Sequence, residues 1–223
     1  MGRTSTTTNA LLGLLALRRS WSSSELTAQI ARNLRFFWPR AESRIYAALA
    51  ELESERMARS SPEPIGPRRN RTRYAITTAG RRRLRDWLDS PPRSTVLESE
   101  ALLRLLLGHL GTGEQAALAV QRIRMDGEEV QAAGREVGQG FLDGVAPFQE
   151  HVQMRALVFD FLASWSLMLT DWADRSEQTM SRWAEQSDQD RQDAAVAIIA
   201  ARLKDLGAKE APSTGQQSPQ AGL

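Results

Sequence analysis

FFWPRAESRIYAALAELESERMARSSPEPIGPRRNRTRYAITTAGRRRLRDWL, residues Phe36 to Leu88, decides the fold of this chain. In its first part Ile45, Leu49 and Leu52 recur at spacings of four and three with Ala48 beside them, a helical period, and Pro39 suits the first turn of that helix. At about 100° per residue the opposite face carries Arg40, Ser43, Ala47 and Ala50, flanked by Arg44 and Tyr46. Little bulk, with guanidinium forks toward one end, is what a helix lying in a DNA major groove needs. Alone, the same pattern fits an ordinary amphipathic surface helix. The next segment decides between them. Between Ala58 and Ile76 the helical period is lost, Pro62, Pro64, Gly66 and Pro67 read as a turn, and Thr72–Ile76 reads as the second arm of a hairpin. Arg68, Arg69, Arg71 and Arg73 load that hairpin with positive charge, as in a wing that lies on a phosphate backbone or enters a minor groove. Thr77 then caps a fourth helix bearing Arg81, Arg82, Arg83 and Arg85, with Leu84, Trp87 and Leu88 on its packing side.

Two helices precede this stretch. Asn9 is placed to cap the first, whose Leu11, Leu12, Leu14, Leu15 and Leu17 cover most of its circumference and predict burial. Ser22-Ser23-Ser24-Glu25 has the form of a capping box, with Trp21 and Leu26 at the positions of a hydrophobic staple. Leu26, Ile30 and Leu34 line one face of the helix that follows. The order helix, helix, helix, hairpin is that of a winged helix-turn-helix domain, here over residues 9–92.

Charge divides the chain in the same place. Residues 1–93 hold 18 Arg and 8 Asp/Glu, a net of +10, while residues 94–223 hold 11 Lys/Arg and 19 Asp/Glu, a net of −8. The first part suits a polyanionic partner and the second does not. There is no cysteine, which excludes disulfides and thiolate chemistry. The two histidines, His109 and His151, fall in different helices, so neither a metal site nor a cofactor is expected. No nucleophile elbow, P-loop or acid–base histidine is found, and an enzyme is not expected. Residues 1–9 lack an apolar core of the secretory kind, and Leu157–Leu169 is broken by Asp160, so a cytoplasmic protein without a membrane span is expected.

Trp38-Pro39, Ser43, Ile45-Tyr46, Leu49, Leu52-Glu53, Arg73-Tyr74, Ile76-Thr77, Gly80, Leu84 and Trp87-Leu88 together resemble the PadR family of transcriptional regulators. The resemblance covers roughly residues 9–90 and extends more weakly to Glu100–Leu107. It implies an N-terminal winged helix-turn-helix followed by a helical dimerisation region. It also implies that Ser43, Arg44 and Tyr46 face DNA and that Arg71 and Arg73 lie on the wing. The chain departs from the family at Arg56, where a glycine usually ends the recognition helix.

Pro91-Pro92 marks the boundary between the two parts. Leu97 and Leu102–Leu107 predict a short apolar helix. Gly111-Thr112-Gly113-Glu114-Gln115-Ala116 has dinucleotide-fingerprint spacing but follows a helix, and Thr112 with Gln115 reads better as a capping box. A helix from about Thr112 to Gly138, a hinge at Gly138, Gly140, Gly144 and Pro147, and a long helix from about Phe148 to Gln186 follow. Phe161, Trp165, Met168 and Trp172 form a stripe on that long helix, read as core or dimer interface, or as the lining of an effector pocket. A last helix spans about Asp188 to Leu206, giving a helical C-terminal domain over 93–206. Residues 1–8 and 207–223 read as disordered tails.

These features predict a mainly α protein that acts as a dimeric, sequence-specific DNA-binding repressor on a pseudo-palindromic operator. The family resemblance implies release by a hydrophobic or aromatic small molecule. A winged-helix module that binds protein, or one that binds DNA without sequence preference, is the alternative.

Overall fold

Ser5 starts the first helix by accepting a hydrogen bond from Thr8 N at 3.2 Å, so α1 runs Thr6–Ala16 and Asn9 lies inside it, buried, not at its cap. The computed structural model describes residues 5–66 and 69–207, in two units that divide between Val96 and Leu97. The cap moves four residues upstream because Thr8, fully buried, has a partner across the core: its hydroxyl donates to Glu51 Oε2 at 3.3 Å. Residues 5–8 are thus part of the fold; residues 1–4, with the tail after Gly207, lie outside the described residues. Leu11, Leu12 and Leu15 are wholly buried, and α1 packs on α3 (Glu42–Ser54) and α4 (Thr78–Leu88).

The capping box forms as expected at the start of α2 (Ser23–Asn33): Ser22 Oγ accepts from Glu25 N at 3.2 Å, and Glu25 Oε2 accepts from Ser22 N at 2.7 Å. Trp21 and Leu26 are both buried. Trp21–Ser22 is also a strand, β1, paired antiparallel with Tyr74 and Arg73, which no local pattern predicts. The start of α3 differs too. It lies at Glu42, with Ala41 as its N-cap, because the Ala41 carbonyl accepts from Arg44 N at 3.0 Å and from Ile45 N at 3.4 Å. Pro39 and Arg40 therefore belong to the connection. Ile45, Ala48, Leu49 and Leu52 are buried, as their spacing predicts.

At the end of α3 Arg56 adopts φ 57°, the left-handed conformation for which the family's glycine is suited. Arg56 N donates to Glu53 O at 3.0 Å and Met57 N to Leu52 O at 2.8 Å, the paired bonds of a Schellman motif. The chain then enters β2 (Ala58–Gly66) and returns as β3 (Arg69–Ile76), giving the sheet order β1-β3-β2. Pro62 and Pro64 lie within β2 and do not form a turn. Thr77 N donates to Met57 O at 3.0 Å, and this register assigns the odd-numbered β2 residues to hydrogen bonding with β3. The two prolines take the alternate positions, where their missing N–H points off the sheet's edge. Thr77 caps α4 by accepting from Gly80 N at 3.1 Å. A Cβ on Gly80 would lie 2.2 Å from the Met57 carbonyl oxygen, so only glycine allows this approach.

In the second unit α5 (Glu100–Leu106) and a 3₁₀ turn lead to α6 (Gly113–Leu142). Thr112 and Gln115 form the capping box, with bonds of 2.9 and 3.2 Å. Gly138 and Gly140 do not form a hinge: α6 runs through both, and Gly138 leaves room for the Phe159 ring, 3.1 Å from where a Cβ would stand. The reversal falls later, at Gly144 (φ 70°) and Phe148 (φ 63°). Arg155 stacks over Phe141 and Phe148 there, and burial lowers its pKa from the usual guanidinium range. The long helix, α7, covers Val152–Ala184, and α8 covers Asp188–Gly207.

Helices α6 and α7 pack along their lengths. At Gly127 a Cβ would fall 2.9 Å from both Ser166 O and Thr170 Cγ2. Gln131 Nε2 donates to Thr170 Oγ1 at 3.1 Å, and Arg124 pairs with Asp174 and Glu177. By length and composition the segment Gln149–Ala184 is apolar enough to cross a membrane, contrary to the expectation from Asp160. Its polar and ionic links to α6 suit a protein neighbour better than lipid.

Two stability changes are expected. Arg56→Gly relieves a left-handed residue and should raise stability by about 0.5–1 kcal/mol, read as a higher urea midpoint. Gly127→Val forces α6 and α7 apart and should lower it by about 2 kcal/mol in the same assay.

Candidate nucleic-acid interface

The outward face of α3 is built from what its buried stripe leaves over. Ser43, Arg44, Tyr46, Ala47 and Ala50 are all exposed, Tyr46 by 47 %. Arg40, on the connection, holds its guanidinium 4.6 Å from the Trp38 ring centroid and donates to Pro39 O at 2.6 Å. A groove of about 190 Å³ runs between α2 and α3, floored by Ile30 and Ile45 and edged by Arg35 and Arg40. Arg40 lines this groove together with Arg35, which stacks on Phe36 at 4.4 Å, while Ser43, Arg44 and Tyr46 stand on the exposed side of α3 outside it. Sequence reading passed over Arg35 because it falls after the helical period of α2.

The wing divides into two faces by strand alternation. On one, Ser60 donates to Glu53 of α3, and burial, with Glu53 adding to it, raises the Tyr74 phenol's pKa. On the other stand Arg59, Glu63, Arg71 and Arg73, with Glu63 opposite Arg71 in the register. Arg71 donates Nε to Glu63 Oε2 at 2.8 Å and Nη2 to the same oxygen. Arg73 is largely enclosed. Its Nη1 donates to Glu25 Oε2 at 3.0 Å, its Nη2 to Ser20 O at 2.9 Å, and Glu63 Oε2 lies 3.8 Å away. Arg73 thus ties the wing to the start of α2, whereas Arg69 is exposed near the tip. Arg68 lies outside the described residues. Arg59 was missed by sequence reading, since only the register places it on this face.

Phe161, Trp165, Met168 and Trp172 differ in their burial along α7. Trp172 packs on Ala101, Ala119 and Ile123, whereas Phe161 and Met168 are exposed by 64 % and 49 %. A groove of about 760 Å³ lies between α5 and α6, with Leu107, Leu110 and Leu118 among its walls. Among the described residues no cluster of His, Asp and Glu is arranged to hold a metal.

Glu25 joins the helix pair to the wing. Its pKa is lowered chiefly by the Ser22 N–H, then by the Ser22 hydroxyl and by Arg73, against the opposing effect of burial. A carboxylate lowered by folding contributes stability that is complete above the ordinary carboxylate range and is lost as pH falls through the lowered value. Glu25→Gln should therefore reduce stability at about pH 7 by at most about 1 kcal/mol, because the site is partly solvent-screened. The gap to the parent should close as pH falls below the ordinary carboxylate range and through the lowered value, as followed by thermal melts across pH.

A sequence model described as the Transcriptional regulator PadR-like family matches residues 11–86. No curated protein matches the chain by sequence. Among solved structures, a PadR-like transcriptional regulator from Bacillus cereus superposes with a TM-score of 0.65 at 18% identity, covering 81% of this chain and 100% of its own. Bacillus subtilis PadR in complex with operator DNA gives 0.62 at 20% identity, over 79% of this chain and 99% of its own. The same protein with p-coumaric acid gives 0.55 at 20% identity, over 78% and 98%. At such identities the likeness is one of fold, a winged helix followed by helices. The sequence match spans α1 to α4 and the wing between them, so it is the N-terminal unit that matches the PadR-like family of transcriptional regulators.

Proposed function

We propose that this chain is a dimeric, sequence-specific DNA-binding regulator, acting as a cytoplasmic repressor that a hydrophobic or aromatic small molecule releases. The observation that carries this reading is the exposed, small and basic face of α3, beside an arginine-bearing wing, in the part of the chain with net charge +10. Arg44 supplies the fork that matches a guanine edge in the major groove, with Ser43 and Tyr46 beside it and Arg40 secondary. Arg69, Arg71 and Arg59 supply phosphate contacts. Arg73 positions the wing. No catalytic group or cofactor takes part.

The dimer is supported by apolar surface without a partner in one chain. Phe161, Met168, Leu157 and Leu167 on α7 are each at least 49 % exposed, as are Val196, Ile199, Leu203 and Leu206 on α8. A second copy covering these faces would pair two winged units on half-sites of a pseudo-palindrome, about 34–36 Å apart. The effector class follows from the p-coumaric acid seen with Bacillus subtilis PadR, an aromatic ligand, and from the aromatic residues of the helical unit.

Anisotropy titrations of the chain's own upstream DNA against a scrambled duplex, across a salt series, test this. Arg44→Ala should lose about 1–3 kcal/mol of discrimination between the two duplexes. Arg69→Ala should weaken both equally and flatten the salt slope by about 0.9. Equal, weak binding of both duplexes by the parent would move the function to a non-specific architectural role, and no binding at low salt would remove DNA as the partner. Sedimentation giving only monomer at micromolar concentration would overturn the dimer.

A further inference from the structure

We infer that Glu63 is a built-in phosphate surrogate on the wing, one that occupies Arg71 in the free chain and limits DNA affinity; this rests on the DNA-binding reading above. Arg71 offers Glu63 its Nε and Nη2 groups, the side-on fork whose spacing matches a carboxylate or a phosphate. Both donors converge on one oxygen, Oε2, and the same oxygen lies 3.8 Å from Arg73 Nη1. The two side chains of the Arg71–Glu63 pair are each 39 % exposed, so a phosphate oxygen has access to the fork that Glu63 holds.

Charge on this face makes the competition consequential. Arg59, Arg71 and Arg73 stand on it with Glu63, and Arg73 is already bonded to Glu25. Glu63 therefore cancels one of the two guanidinium charges, those of Arg59 and Arg71, that this face would otherwise present to a duplex, leaving Arg59 and the tip. A phosphate that docks on Arg71 must displace the carboxylate, and the displaced carboxylate then repels it. Glu63 reads no base, so it lowers affinity for operator and for random DNA alike. It thereby limits the time spent on non-specific sites without altering base selection.

The test is a double-mutant cycle on the full chain, with Glu63→Gln, Arg71→Ala and the pair, titrated with upstream and scrambled duplexes across a salt series. Glu63→Gln should bind both duplexes about three- to tenfold tighter at low salt, with a slope of log K against log salt steeper by about 0.9. Arg71→Ala should cost more affinity in the Glu63→Gln background than in the parent. Thermal melts accompany each protein; should Glu63→Gln fail to fold, Glu63→Thr, suited to an edge strand, carries the same comparison. Unchanged affinity and slope, or weaker binding by a variant that melts like the parent, overturns the inference while leaving the DNA reading intact. A parent that binds neither duplex overturns both.

Discussion

One carboxylate oxygen, Glu25 Oε2, holds the N-terminal unit together at the point where its helices meet its wing. It accepts from Ser22 N at 2.7 Å, from Ser22 Oγ at 3.0 Å and from Arg73 Nη1 at 3.0 Å. The first two bonds fix where α2 begins, and with it the direction in which α2 presents its packing face to α3. The third fixes β3, the central strand, to that same start. The unit needs this because β1 is only two residues long and would hold the sheet weakly by its backbone alone. Partial exposure keeps each ionic contact modest, yet three donors on one acceptor constrain geometry more than they add energy. That geometry places the exposed side of α3 and the wing on a common framework.

The C-terminal unit obeys a different constraint. Its α6 and α7 approach until backbone meets backbone at Gly127, and Gln131 and Arg124 fix their register. This settles one side of α7 only. The other side, with much of α5 and α8, leaves large aliphatic and aromatic residues facing outward. These outward apolar residues are the ones that the proposed dimer would cover with a second copy.

Much of this was legible in the sequence wherever the signal was local. Both capping boxes and the buried stripe of α3 depend on neighbours within a few residues, and each formed as its residues indicate. By contrast, Arg56 keeps the left-handed exit without the family's glycine, and Pro62 and Pro64 lie in a strand and not at a turn. What was not legible needed partners far along the chain. Trp21 pairs with Tyr74, and Thr8 reaches Glu51, which is why Ser5 and not Asn9 begins α1. Gly138 looked like a breaker because its packing against Phe159 cannot be seen from either residue alone. The wing arginines show the same limit for the site. Counting charge found them, but only the register shows that Glu63 and Glu25 claim Arg71 and Arg73, and leaves Arg59 and Arg69 exposed.

The prolines of β2 carry a consequence for how such molecules coexist. An outer strand is ordinarily a template on which another chain can add a strand, and two wings brought close on neighbouring sites would be well placed to do so. Pro62 and Pro64 remove two successive outward donors from that edge, so a ladder started there has nothing to continue on. The hairpin can therefore be long and thinly packed, as a finger reaching across a backbone must be, without becoming a seed for intermolecular sheet.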